Sequence, residues 1–228
     1  MLKRYLFHWA TAISLLAASA LTCGETVIHF TPLEHTADKR LEYPLKVIDL
    51  AMRKTSKKYG AYILIPTPQV ISLARSIYEL NRDTYSNYFF PGSTNIEEMS
   101  NGNLVKVDYP LDHGLLSYRI CFVSPNAKTR VAAAKTLPDL QKFSITQGTN
   151  WLDVSILQNN GFRVIENQNY MGLFKTVISG RADLFCRGIS ELHEEYDAYK
   201  SLGNLQYDDS FVLVYSLPYS FYFNRNSK

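Results

Sequence analysis

The sequence predicts a mixed α/β fold built as two lobes, and three observations lead to this prediction. Residues 142–187 alternate strand, glycine turn, helix, strand, helix and strand. Residues 26–90 repeat the same β-α-β-α-β order. Three further strand patterns, at 116–123, 211–215 and 220–223, lie outside these units and run between them. Two α/β units in series, joined by strands, place a binding crevice at their interface.

Composition narrows the class of protein. The chain has 228 residues, a formal net charge of +3 and 46% hydrophobic residues, which suits one large domain or two small lobes. Basic residues are scattered and no nucleic-acid-binding motif is present. The five histidines show no metal-ligand spacing with the cysteines. We therefore expect no nucleic-acid partner, no metal and no cofactor.

The first 24 residues are predicted to be a secretory signal peptide. Lys3 and Arg4 precede an apolar run from Ala10 to Leu21, which is followed by small residues. The run is shorter than the roughly 20 residues that span a bilayer. Cleavage is expected between residues 20 and 25, and lipid attachment at Cys23 is the alternative. The mature protein is expected to be soluble and exported.

The first unit is predicted to contain two helices between three strands. The helices are indicated by apolar stripes, the first of which ends at a lysine-rich turn. The predicted strands are residues 26–30, 61–65 and 85–90, and the stripes are Leu41, Leu45, Ile48 and Met52, then Val70, Leu73, Ala74, Ile77 and Leu80.

The second unit repeats this order after a predicted surface helix at 131–140. Its strands are predicted at 143–146, 161–165 and 182–186. The turn at Gly148–Trp151 leads into a helix, and a helix N-terminus presents unpaired N–H groups and partial positive charge. This turn is therefore suited to hold an anionic group.

Cys121 and Cys186 remain after signal cleavage, and each lies within an apolar strand pattern. An oxidising compartment would allow them to pair, but sequence does not give the distance between their Cα atoms. Buried free thiols are the favoured interpretation here.

Several segments resemble one known family, the type II periplasmic solute-binding proteins, specifically the bacterial extracellular solute-binding family 3. The similarity covers most of the chain after residue 25 and depends on the order and spacing of short motifs. These motifs are a crossing strand (118–123), a helix with its lead-in (135–142), a strand with a Gly-Thr turn (144–149), a Gly-Arg-x-Asp exit (178–183) and a return strand (220–223).

The resemblance implies a Venus-flytrap receptor without enzymatic activity. Such a receptor is a periplasmic monomer that closes on a small polar or anionic, amino-acid-like ligand and delivers it to a membrane permease of an ABC transporter. Its expected organisation is a signal peptide (1–24), lobe 1 (25–115), lobe 2 (116–215) and a return strand towards lobe 1 (216–228). The first lobe is expected to be minimal or truncated, because the family normally continues with helices beyond the return strand.

One departure from the family bears on the ligand. Family members that bind amino acids usually carry an arginine shortly after a threonine of the first lobe, where it clamps a carboxylate. Here Thr94 is followed by two acidic residues, Glu97 and Glu98, and Glu98 would suit a cationic group of the ligand. Arg187, at the end of a strand of the second lobe, is a candidate substitute.

The remaining candidate ligand contacts each have a structural alternative. Thr149, Asn150 and Trp151 either contact the ligand or serve as helix caps and core. Arg187 either binds an anion or pairs with Glu191 or Glu194. Tyr118 and Arg119 lie on the crossing strand, where one of the two faces the crevice. Thr94 lies at the crevice edge, where ordinary turn chemistry also explains it.

Two other functions remain open from sequence. The same fold serves signalling systems, in which the partner is a membrane sensor. It also supports enzymes, and the acidic run Glu191, Glu194, Glu195 and Asp197 with His193 is the candidate for acid–base chemistry. At helical spacing such a run is more often a solvated face, and no nucleophile motif accompanies it.

Overall fold

The computed structural model describes residues 25–32, 39–93 and 102–228. The predicted signal peptide with Cys23, and the candidate residues Thr94 and Glu98, lie outside the described residues. Within the described ranges, no helix combines the length and apolar character that crossing a bilayer requires.

The N-terminal lobe, as we call the first unit together with the last strand, contains two small sheets. β1 and β2 pair in parallel, and β10 lies antiparallel between β3 and β4. The chain end thus returns to this lobe. Its elements are β1 (Thr26–Phe30), α1 (Glu42–Tyr59), β2 (Tyr62–Pro66), α2 (Leu73–Arg82), β3 (Phe89–Gly92), β4 (Leu104–Lys106) and β10 (Ser220–Asn224).

The C-terminal lobe, residues 118–214, is built on one five-stranded sheet of order β7-β6-β8-β5-β9. β6 is parallel to β7 and β8, and β5 is antiparallel to β8 and β9. Its elements are β5 (Tyr118–Val123), α3 (Lys128–Ala132), α4 (Leu137–Leu140), β6 (Ser144–Gly148), α5 (Leu152–Asn159), β7 (Arg163–Asn167), α6 (Tyr170–Ile178), β8 (Leu184–Gly188), α7 (Ile189–Tyr199) and β9 (Gln206–Val214).

Two segments connect the lobes, and hydrogen bonds tie them together. The outgoing segment ends in a 3₁₀ turn at Leu115–Ser117. Asp112 caps this turn, because its carboxylate accepts the backbone N–H groups of Gly114 and Leu116. The Ser117 hydroxyl accepts the backbone N–H of Leu217 in the returning segment at 3.1 Å. Movement of one lobe relative to the other therefore involves both segments.

The predicted α/β class is confirmed, but β4 is not among the predicted strands and the third strand of the N-terminal lobe is displaced. It was predicted at residues 85–90 and runs instead from Phe89 to Gly92. The preceding residues form a turn, in which Tyr88 N–H donates to the Tyr85 carbonyl and Asn87 has φ 48°. A positive φ is incompatible with an extended strand, so pairing begins only after Asn87.

The prediction of a single surface helix at 131–140 is wrong. Two short helices, α3 and α4, replace it, and Val131 is fully buried. Thr136 and Asp139 form a reciprocal capping box at the start of α4. A capping box with proline at the first turn starts a new helix instead of continuing an old one.

The expectation of free thiols is also wrong, because Cys121 and Cys186 form a disulfide. The two residues are direct cross-strand partners in the antiparallel pair β5–β8, with Cα atoms 3.8 Å apart. The register between two strands decides this pairing, and the register depends on contacts 65 residues apart in sequence.

Candidate ligand-binding cleft

A cavity of about 390 Å³ lies between the lobes, and both lobes line it. Its N-terminal wall includes three hydroxyl residues: Thr31 after β1, Ser72 at the start of α2 and Ser93 after β3. Its C-terminal wall includes the turn after β6 and the residues that follow β7 and β8. Polar side chains at the carboxyl ends of strands thus converge on the space between two α/β units, as crevices of such sheets do. We call this cavity the cleft.

The turn Gly148–Trp151 forms part of the cleft as predicted from sequence, and Thr149, Asn150 and Trp151 all line it. Gly148 is required here, since a Cβ at this position would overlap the indole ring of Trp151. Asn150 adopts φ 66°, a left-handed conformation that Asn tolerates better than most residues.

Helix α5 begins at this turn without a side-chain cap. Trp151 is the N-cap residue and makes no side-chain capping bond, so Thr149 and Asn150 are not ordinary caps. The Val154 N–H donates to the Trp151 carbonyl at 3.0 Å, which leaves the first-turn N–H groups of Leu152 and Asp153 to water or to a ligand. This geometry suits a carboxylate or another polar oxygen.

Arg187 lines the cleft but is already paired. Arg187 is 4% exposed, and its Nε donates to both carboxylate oxygens of Glu195, at 2.8 and 3.0 Å. Nη2 donates to Glu195 and to Glu191. From sequence, the structural alternative for Arg187 is a salt bridge to Glu191 or Glu194. The bridge to Glu191 is present, and the second partner is Glu195, not Glu194. Burial alone would lower the pKa of Arg187, but the two carboxylates outweigh it and raise that pKa well above its ordinary value.

The crossing strand presents Arg119 to the cleft, not Tyr118. Tyr118 is 49% exposed and does not line the cavity, whereas Arg119 is 1% exposed and does. Successive side chains of a strand point to opposite faces, so only one of the two can face inward. Arg119 pairs with Asp153 at 2.7 Å, and Asp153 also accepts the Tyr215 hydroxyl at 2.6 Å.

Glu191 links the two arginines. Its Oε1 accepts from Arg187, while Oε2 accepts the Gly188 N–H at 3.0 Å and lies 3.8 Å from Arg119. Burial raises the pKa of Glu191, although the arginines act in the opposite direction. The acidic run of α7 is thus not simply a solvated face, because Glu191 and Glu195 turn inward onto Arg187.

A contact between Arg40 and Tyr170 joins the two walls. The guanidinium of Arg40, which precedes α1, lies 3.6 Å from the centre of the Tyr170 ring on α6. The Tyr170 hydroxyl donates to Glu195, so this contact leads directly to the charged group around Arg187. Sequence reasoning missed Arg40, since nothing in its local pattern indicates a partner 130 residues away. Among the described residues, no group of His, Cys, Asp and Glu side chains is arranged to hold a metal ion.

Solved structures match most of the chain, whereas a scan of protein-family models and a search of curated proteins give no match. The GluR0 ligand-binding core in complex with L-glutamate has a TM-score of 0.62 at 13% identity, covering 90% of this chain and 87% of that chain. A mutant of ArgBP from T. maritima gives 0.58 at 16% identity, covering 89% and 82%. The periplasmic sensor of the Borrelia burgdorferi hybrid histidine kinase Hk1 gives 0.53 at 12% identity, covering 90% and 91%.

At these identities the likeness establishes the fold. The chain has the bilobal fold of the type II periplasmic solute-binding proteins, as the sequence resemblance implied. These neighbours contain the same kind of two-lobed architecture over nearly their whole length.

Proposed function

We propose that the protein is an exported receptor that closes around a small polar or anionic, amino-acid-like ligand and presents it to a membrane transporter. The observation that carries this proposal is the cleft, to which both lobes contribute polar side chains. Its volume of about 390 Å³ lies within the usual range for small-molecule sites. A ligand that touches both walls favours the closed arrangement over the open one.

The charges of the cleft suggest how such a ligand is oriented. Arg119 and Arg187 each have a dedicated carboxylate, so they offer an incoming anion less than free arginines would. The uncapped start of α5, beside Thr149 and Asn150, is the better place for a ligand carboxylate. Arg187 then acts as a positioning residue that holds Trp151 and Glu191, its guanidinium lying 4.9 Å from the Trp151 ring centre.

Glu191 is the proposed partner of a ligand amino group. Its side chain is 23% exposed, more than those of Arg119, Arg187, Asp153 and Glu195 around it. Each carboxylate oxygen can accept more than one hydrogen bond, so its contacts with Arg187 and Gly188 leave room for a ligand donor.

The second candidate is a ligand-sensing subunit of a signalling system. The Hk1 periplasmic sensor has the same fold, and the structural match covers 91% of that chain. Both functions use the same closure on a ligand and differ in the membrane partner. Co-purification with a permease would support transport, whereas a ligand-dependent change in a co-expressed kinase would support sensing.

A thermal-shift screen of the purified protein tests the binding function. The library contains amino acids, small carboxylates and amines, and a ligand at one hundred times its Kd adds about 2.7 kcal/mol of stability. We expect Thr149→Val to weaken binding of the best compound about three- to tenfold, because it removes a hydroxyl without changing the side-chain shape. Ser155→Ala removes an exposed hydroxyl from the helix that follows this turn, and it is the matched control. The absence of any stabilising compound, or equal effects of the two variants, would contradict the proposal.

A further inference from the structure

We propose that a second cavity between the lobes binds a small aromatic amine. This cavity, here called the tyrosine cavity, has a volume of about 390 Å³, as large as that of the cleft. The start of α1, the outgoing connection and one face of α7 line it. The two cavities share a wall made of Arg40, Leu116, Tyr170, Glu191 and Tyr219. The site does not depend on what the cleft binds, so failure to find a ligand for the cleft leaves this proposal standing.

Aromatic rings give the tyrosine cavity its shape. Four tyrosines from both lobes line it, and two of them, Tyr170 and Tyr199, are almost fully buried. The Tyr43 hydroxyl is held by the Leu111 carbonyl at 2.7 Å, so its ring is fixed at the cavity edge. Tyr199 stacks on Phe174 at 4.0 Å and Tyr170 carries the Arg40 guanidinium, so these two rings form the cavity floor. The Tyr43 ring is 53% exposed, and an aromatic face of this kind binds apolar groups and attracts cations.

The ionised groups around the cavity favour a ligand that carries positive charge. The side chains that line the cavity include four carboxylates, Asp112, Glu191, Glu194 and Glu195, and two cations, Lys39 and Arg40. Arg119 and Arg187 lie behind the shared wall and pair with Glu191 and Glu195, so they offset much of this negative charge. An ammonium group is attracted to the carboxylate that remains, whereas a second carboxylate would be repelled by it.

Glu194 is the carboxylate left for the ligand. Asp112 is engaged by backbone N–H groups, and Glu191 and Glu195 are engaged by Arg187. Glu194 lies one helical turn along α7 from Ser190 and forms no ion pair with any residue that the structure describes. An amine seated on the tyrosine rings can place its nitrogen at Glu194, at the mouth of the cavity.

The shared wall already contains a contact of this chemistry. The Arg40 guanidinium lies on the Tyr170 ring, and the Tyr170 hydroxyl donates to Glu195. A cation on a tyrosine face beside glutamate is therefore an arrangement that this part of the protein supports. An amine in the tyrosine cavity would repeat it with the neighbouring rings and Glu194.

Calorimetric titration of the purified protein with 2-phenylethylamine tests the proposal, with 2-phenylethanol as the neutral match. We expect the amine to bind at least about tenfold more tightly than the alcohol. Ala198→Leu fills the cavity from α7 and is expected to abolish binding. Glu194→Gln should weaken it about three- to fivefold, as expected for an exposed ion pair. Thr149→Val, which changes the cleft alone, should leave the affinity unchanged.

Three outcomes would overturn the proposal: equal affinity for amine and alcohol, no binding of the amine at millimolar concentration, or loss of binding in Thr149→Val with retention in Ala198→Leu. The last result would place the amine in the cleft. Ser190→Leu, which fills the tyrosine cavity from the first turn of α7, replaces Ala198→Leu if that variant fails to fold. Loss of binding in a folded Ser190→Leu supports the proposal, and retained binding contradicts it.

Discussion

The two walls of the cleft are built by different means. The N-terminal wall carries hydroxyls that are hydrogen-bonded to backbone, such as Thr31, which accepts the Ile71 N–H at 2.9 Å. The C-terminal wall rests on buried ionised side chains that bind one another, with Arg187 at the centre. Beneath the first wall are sheets of two and three strands, and beneath the second is a five-stranded sheet with a disulfide.

This difference suggests a division of roles. Side chains in a buried ion pair hold their positions, because moving one partner away would leave the other as an uncompensated charge in the protein interior. The C-terminal wall therefore presents a preformed surface, on which Trp151 and Glu191 are held by Arg187. The N-terminal wall, joined to it by the contact between Arg40 and Tyr170, is the part expected to move when the lobes close.

The largest expected effect comes from the disulfide. The double substitution Cys121→Ala with Cys186→Ala should lower the free energy of unfolding by about 4 kcal/mol, because the cross-link closes a loop of about 65 residues. Denaturant titration measures this loss. Hydrogen exchange should show faster opening of β5 and β8 and little change in β1 and β2. A uniform change across both lobes would contradict the difference drawn between them.

The next effect concerns the buried carboxylate behind Arg187. Glu195→Gln should destabilise the protein by about 3 kcal/mol, since it leaves a buried guanidinium with one carboxylate in place of two. Glu194→Gln, the neighbouring exposed position, should change stability by less than about 0.5 kcal/mol. Thermal and chemical denaturation compare the two. Equal losses would show that Arg187 does not depend on Glu195.

A pH series sharpens the comparison further. Burial raises the pKa of Glu191 above its ordinary value of 4.5 in the folded protein, so folding favours its protonated form. Its contribution to stability is complete below about pH 4.5 and is lost as pH rises through the raised pKa. The stability of the wild type relative to Glu191→Gln should therefore fall with rising pH, by at most about 1.4 kcal/mol per pH unit. A flat or rising difference would contradict the assignment.

The smallest effect tests the turn that begins α5. Asn150 has φ 66°, so Asn150→Ala should cost about 1 kcal/mol while Asn150→Gly should cost close to nothing. Chemical denaturation of the pair gives the difference. Equal stabilities would mean that the turn does not hold Asn150 in the left-handed conformation.

Much of the fold could be predicted from sequence because its signals are local. The glycine turn after β6 and the apolar stripes of α1 and α2 can be read within about ten residues. The turn residues Thr149, Asn150 and Trp151 were placed at the cleft for the same reason, since the carboxyl end of a strand followed by a helix specifies where they lie.

The remainder of the site depends on contacts that sequence does not encode locally. Choosing Arg119 over Tyr118 requires knowing which face of β5 is inward. Predicting the pairing of Cys121 with Cys186 requires knowing the register between β5 and β8. Predicting the contact of Arg40 with Tyr170 requires knowing how the two lobes are placed relative to each other. Local patterns carry neither a register nor a lobe arrangement.

The most direct test of the receptor function is the distance between the lobes with and without ligand. Spin labels at Thr55 on α1 and at Arg163 on β7, both exposed, report this distance by pulsed electron resonance. Saturation with the best compound of the thermal-shift screen should shorten and narrow the distance distribution, because the ligand contacts both walls of the cleft. An unchanged distribution at saturation would contradict closure of the lobes on a ligand.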